Sequence, residues 1–248
     1  MRYAGVMVLN KTSTRIGILQ PGYLPWLGFF EQIYKADIFV IYDDVQYDKN
    51  SWRNRNRIKT PQGLMWVTVP VLMKFGERLP VNRIAIDNKA DWRKKHLLSI
   101  KYNYAKAPFY KDCIGIFEEA YGREWEYLID IDMFFIYKIV EYLGMDKNKI
   151  VLASTLNIEG DRIGRLVNIC RHFNADIFYE GAAGKDYLSE KDFAGHGIRL
   201  EFQDYKHPVY KQLYGEFVPQ LSIVDLLFNH GKESLGILIN NKFDGIIK

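Results

Sequence analysis

Two short apolar runs rich in β-branched residues, RIGILQ (15–20) and DIFVIYD (37–43), flank LGFFEQIYKA, whose apolar residues recur at helical spacing. A connection of that length and periodicity is no hairpin turn. It returns the second strand parallel to the first, with the right-handed crossover that strand twist imposes. The stretch is therefore expected to form a strand, helix, parallel-strand unit, and the chain an α/β protein.

The same alternation returns late in the sequence. KIVLAS, DIFYEG and IRLEFQDY read as strands, RIGRLVNICRHF as a helix, and SIVDLLFNHG as a helix near the end. Between the two α/β regions, RNRIKTPQGLMWVTVPV (55–71) carries a Pro-Gln-Gly turn between β-prone arms and is expected to be an antiparallel hairpin, with VNRIAID (81–87) adding a third strand. Residues 89–144 predict three helices, with Asp91 and Pro108 as starts and Gly144 as a stop. The expected organisation is one α/β domain over 1–248, a mostly parallel sheet with a hairpin insertion at about 50–87 and a helical segment at about 89–144.

Composition excludes several classes. The net charge of +4 is spread along the chain, without the dense basic stripe of a nucleic-acid binder. No apolar run approaches the roughly 18 residues of a membrane span, and the N-terminal run is short for a signal peptide. Membrane insertion is not expected, and the expected location is the cytoplasm. Cys113 and Cys170 both fall in helical stretches and read as reduced core residues. The five histidines are scattered without metal-ligand spacing, so no metal site is expected; should a nucleotide bind, Asp43 and Asp44 are the carboxylates able to hold magnesium. KYNYAKAPFYKD offers aromatic surface for a homodimer.

Ligands of open α/β sheets sit beyond the carboxyl ends of the strands, which puts the QPGYLPW loop in such a position. Neither G-x-G-x-x-G nor a P-loop occurs there. The loop is similar to that of the nucleotidylyltransferase-like (HUP-like) superfamily, in which a strand and a Pro-containing loop lead into H-x-G-H at the first helix. Here Trp26-Leu27-Gly28-Phe29 occupies that place. The resemblance implies a similar core, and the two aromatic replacements argue against adenylyl transfer. Four blocks in order, LQPGYLPWLGFFEQI, DIFVIYDDVQYDKNSWRNRNRI, GAAGKDYL and HPVYKQLYGEFVPQLSIVDLLFNHG, resemble the WbqC-like protein family over about residues 15–235. That resemblance implies a place in bacterial O-antigen and other surface-polysaccharide biosynthesis, where amino sugars are modified as nucleotide conjugates. It carries over no residue roles.

Residue chemistry supplies the candidates. Gln20, Tyr23, Asp43 and Asp44 stand at adjacent strand ends, where polar groups need partners. In SWRNRNRI, strand alternation puts Arg53, Arg55 and Arg57 on one face, for phosphate or carboxylate, and Asn54 and Asn56 on the other; Trp52 precedes them. Gly181 and Lys185 in EGAAGKDYL form a candidate anion nest, equally readable as a helix-initiating turn. Gln203 and Tyr210 flank His207, the leading candidate for proton transfer, with His96 second and Asp43 and Asp44 as carboxylate alternatives. Asp225 on an apolar helix needs a partner, and Ser222 reads as that helix's cap. No nucleophile elbow or activated cysteine is present. The expectation is acyl or aminoacyl transfer to the amine of a nucleotide-linked amino sugar, with no cofactor beyond a nucleotide or an acyl or aminoacyl donor. The alternative is a non-catalytic sugar-nucleotide or glycan-binding component.

Overall fold

The computed structural model describes residues 13–49, 51–74 and 76–240. Strand β1 (Arg15–Leu19), helix α1 (Leu27–Lys35) and strand β2 (Ile38–Ile41) form the expected opening unit, with Ile16 paired to Ile38 in parallel register. A hairpin of β3 (Arg55–Thr60) and β4 (Gly63–Thr68) follows, then the two-residue strands β5 (Val71–Leu72) and β6 (Ala85–Ile86). Three helices come next, α2 (Trp92–Tyr104), α3 (Tyr110–Tyr121) and α4 (Leu128–Tyr142). The chain then alternates again through β7 (Ile150–Leu152), α5 (Arg162–His172), β8 (Ile177–Glu180), α6 (Lys191–Ala194) and β9 (Arg199–Phe202). It ends in α7 (Ile223–His230) and α8 (Ser234–Asn240).

The five parallel strands lie in the order β7-β2-β1-β8-β9. Counted along the chain that is 3-2-1-4-5, the order of a doubly wound sheet, and it is compatible with a nucleotidylyltransferase-like core. The direction of winding reverses between β1 and β8. Alternation along the strands supplies both faces: Ile16, Ile18 and Phe178 pack with α5 and α6, while Phe39 and Ile41 pack with α1 and the helical layer of α3, α4 and α7. Phe29 and Phe30 belong to this second core, as aromatics at helical spacing should.

Local chemistry explains the boundaries. Asp161 caps α5 by accepting from the Gly164 amide at 2.7 Å, and Ser222 caps α7 through the Val224 amide. The chain leaves α4 through Gly144 at φ 74°, a conformation that favours glycine. The third hairpin strand expected at 81–87 is not formed. Val81–Arg83 is a 3-10 turn, and only Ala85–Ile86 is strand, paired with β5. The reason lies in the backbone: the Val81 and Asn82 amides donate to the carbonyls of Val45 and Asp43, which ties this segment to the exit of β2.

Candidate functional site

The chain leaves β1 at Gln20, at the reversal point of the sheet, and the loop that follows is held by groups distant in sequence. Gly22 lies so close to the hairpin entry that a Cβ there would stand 2.9 Å from the Trp52 carbonyl oxygen. The Tyr23 amide donates to the Arg53 carbonyl at 3.0 Å. Leu24 takes φ 46°, a left-handed conformation unfavourable for leucine. Its carbonyl is clamped by Asn56 Nδ2 and Ser222 Oγ, each at 2.8 Å, so the surrounding structure imposes the strained turn.

This loop and the hairpin entry enclose a crevice of about 320 Å³ lined by Gln20, Gly22, Trp26, Phe29, Trp52 and Arg53, among others. Arg53 Nη1 donates to the carbonyls of Gln20 and Pro21 at 3.0 and 2.7 Å. Its Nε is buried with no protein partner, and so is Gln20 Oε1. Two residues that line the crevice thus carry one donor and one acceptor that the protein leaves unsatisfied, as happens where a ligand completes the bonding. Burial pulls Arg53 below the usual guanidinium range, opposed chiefly by the carboxyl of Asp132.

The strand next to β1, β8, carries a second polar group, which is not itself among the crevice-lining residues. Gly17 pairs with Tyr179, which sets Glu180 at the level of Ile18, one strand across. Glu180 is 5 % exposed, and its carboxylate accepts from the Gly181 amide at 2.9 Å. Burial pushes its carboxyl up to about 7, against a weaker lowering by that amide. A carboxyl titrating near neutrality can both give and take a proton at working pH. Gly184 makes the room: a Cβ there would lie 2.3 Å from Glu180 Cγ. Tyr187 lies within electrostatic reach of Glu180, Arg162 and Arg53, with the Arg162 guanidinium 4.5 Å from its ring centre.

Several residues singled out from sequence have internal partners instead. Asp43 is buried and accepts from the Ser154 amide (2.9 Å), Ser154 Oγ (2.6 Å) and Asn82 Nδ2 (3.3 Å), fastening the exits of β2 and β7 together. Asp44 pairs with Arg165 at 2.5 Å. Tyr23 and His96 form a buried chain: Tyr23 Oη lies 2.9 Å from His96 Nδ1 and 2.5 Å from Tyr121 Oη. Burial pulls His96 down to about 4, which keeps the imidazole neutral. His207 Nδ1 bonds the Pro208 carbonyl, and its ring sits behind Tyr205, which in turn packs on Trp26. Neither histidine is among the crevice-lining residues, and neither is Glu180.

The arginine and asparagine alternation is present, with Asn54 and Asn56 buried and Arg53, Arg55 and Arg57 half-buried. Asn54 Nδ2 donates to the Val69 carbonyl, so its amide braces the hairpin. Gln203 Nε2 donates to Glu31 and to the Gly28 carbonyl, linking β9 to α1. Tyr210 faces the buried Asp225, whose Oδ1 accepts from Tyr104 at 3.1 Å. Gly181 precedes a 3-10 turn over Ala182–Asp186, and Lys185 is exposed with its ammonium 5.9 Å from the Phe202 ring centre.

The family model described as the WbqC-like protein family matches residues 20–237, from the crevice loop to the last helix. The chain belongs to the WbqC-like protein family. It is 37 % identical over 224 residues to the uncharacterized protein Rv1507c of Mycobacterium tuberculosis, covering 89 % of this chain and 95 % of that one. No solved structure matches it.

In this WbqC-like chain no three His, Cys, Asp or Glu side chains among the described residues converge as a metal site. No helix among them is long and apolar enough to cross a membrane. Sequence reasoning passed over Glu180, Arg162 and Tyr187. The one legible signal was an acidic residue closing the otherwise apolar strand DIFYE; the pairing of Arg162 with Tyr187 leaves no mark in the sequence.

Proposed function

We propose that this WbqC-like protein is an enzyme of surface-glycan biosynthesis that binds a nucleotide-linked amino sugar in the crevice at the exit of β1 and transfers an acyl or aminoacyl group to its amine. The observation that carries the reading is the pair of buried, unpartnered groups on the crevice wall, Arg53 Nε and Gln20 Oε1. A sugar ring presents donors and acceptors together, and a diphosphate suits guanidinium groups. Arg53 serves the phosphates. Glu180, in its carboxylate form, takes the proton from the sugar ammonium. The free amine attacks the acyl carbon of the activated donor, and the new C–N bond forms as the bond to the donor's leaving group breaks; that group departs with the proton Glu180 had taken, and the nitrogen's second proton passes to the regenerated Glu180 carboxylate and on to solvent. Direct attack needs no protein nucleophile, consistent with the burial of both cysteines. In this scheme proton transfer passes from His207 and His96 to Glu180, and Asp43 and Asp44 act by positioning loops.

The test is a panel of nucleotide-linked amino sugars with activated acyl and aminoacyl donors, read by calorimetry for binding and by mass spectrometry for the mass gain. The reading expects one conjugate to bind, Arg53→Ala to weaken it at least tenfold, and Glu180→Gln to abolish product while binding persists. Binding without product under every donor supports the non-catalytic alternative. No binding of any conjugate refutes the proposal.

A further inference from the structure

The outer face of the hairpin carries chemistry that the crevice itself does not use. Cross-strand pairing sets Arg57 opposite Trp66 and Arg55 opposite Thr68, so these side chains share one face. Trp52, just ahead of β3, packs on Trp66 with ring centres 5.3 Å apart and planes tilted by 34°. The Arg57 guanidinium lies 5.4 Å from the Trp52 ring centre and 5.6 Å from that of Trp66, and Arg55 lies 4.6 Å from Trp66. Both indoles are nearly half exposed, at 47 and 46 %. Paired tryptophans left in water call for an explanation, since burying either one is strongly favourable. Trp52 also lines the crevice, so the platform is its outward continuation.

The combination is selective. Indole faces accept any flat ring, and the guanidinium groups beside them add a demand for negative charge. A neutral sugar satisfies the first and leaves the second unmet, and inorganic phosphate does the reverse. A nucleoside diphosphate satisfies both. We infer that Trp66 and Trp52 form a nucleobase platform. The base of a nucleotide-linked substrate stacks there, its phosphates lie along Arg57 and Arg53, and its sugar reaches inward to Gln20. This rests on the reading that the crevice accepts a nucleotide-linked sugar, and it fixes the direction in which that substrate lies.

The experiment is calorimetric titration of the whole chain with uridine, thymidine, guanosine, adenosine and cytidine diphosphates, with pyrophosphate, and with the nucleotide-linked amino sugars, for wild type, Trp66→Ala and Trp66→Phe. Trp66 is an exposed hairpin residue, and a melting curve for each variant confirms an intact fold. At least one nucleoside diphosphate binds wild type more tightly than pyrophosphate does. Trp66→Ala loses about 5- to 100-fold of that affinity, the range of one base-stacking contact, while Trp66→Phe keeps most of it and pyrophosphate binding is unchanged. Equal nucleoside diphosphate affinity in wild type and Trp66→Ala overturns the platform and leaves the nucleotide-linked sugar reading standing. Failure of every nucleotide-linked sugar to bind wild type removes that reading and the platform with it. Trp66-dependent sedimentation with phosphatidylglycerol vesicles, without any nucleotide effect, overturns the inference in favour of a lipid surface.

Discussion

Replacing Glu180 with glutamine should make the protein more stable above neutral pH while removing its proposed activity. The reasoning is a linkage argument. The carboxyl of Glu180 titrates near 7 in the fold because burial disfavours its charge, whereas an unfolded glutamate titrates near 4.3. Between these values the folded state binds more protons than the unfolded state, so the contribution of Glu180 to stability is present in full below the unfolded value. It is lost as pH rises through about 7. The gap between those two values corresponds to about 3 kcal/mol. Glutamine is isosteric, cannot ionise, and retains an oxygen to accept from the Gly181 amide. The difference in unfolding free energy between Glu180→Gln and wild type should therefore rise by about 3 kcal/mol from pH 4.5 to pH 8, equivalent to a melting difference of about 6–12 °C for a chain of this size. Urea denaturation at half-unit pH intervals measures it, and taking the difference cancels groups common to both proteins, including Asp225, pushed by burial up to about 6. Parallel pH curves for the two proteins would refute the raised carboxyl and, with it, the assignment of Glu180 as the proton carrier.

Three other perturbations probe the frame around the crevice. His96 is held neutral by burial, its folded value depressed to about 4, so wild-type stability should decline by about 3 kcal/mol as pH falls from about 6.5 towards 4, and the difference from His96→Asn in urea unfolding should show it. Asp43→Ala leaves the Ser154 and Asn82 donors without their carboxylate and should cost about 3 kcal/mol at pH 7, lowering the urea midpoint; an unchanged midpoint would return Asp43 to the list of candidate chemical groups. Gly22→Ala introduces a methyl 2.9 Å from the Trp52 carbonyl oxygen and should destabilise by about 1–3 kcal/mol, with weaker ligand binding by calorimetry; unchanged stability and affinity would show that the loop is not locked against the hairpin entry.

The parallel sheet was legible because its signals are local. RIGILQ and DIFVIYD carry strand chemistry within a few residues, and the helical spacing between them dictates a parallel return. The alternation in SWRNRNRI likewise sorted its asparagines into the interior and left its arginines half-buried. What alternation does not contain is the partner. Asn54 and Asn56 point inward to brace carbonyls at Val69 and Leu24, and Asp43 and Asp44 at the end of β2 meet Ser154 and Arg165, more than a hundred residues away. The third strand expected at 81–87 failed for the same reason, since its amides found carbonyls at the exit of β2.

By itself, then, the sequence determined the α/β class, the hairpin, the three-helix segment and membership of the WbqC-like family, because propensity, periodicity and motif order act over short spans of chain. Only the tertiary structure decided which polar groups are satisfied. It buried His96 in a hydrogen-bonded chain with Tyr23 and Tyr121, and it buried Glu180 at the end of β8, where Tyr187 lies within electrostatic reach of it, of Arg162 and of Arg53. A side chain's proton affinity depends on the dielectric and the charges around it, and in this fold those are supplied by strands and loops that lie far apart in the chain.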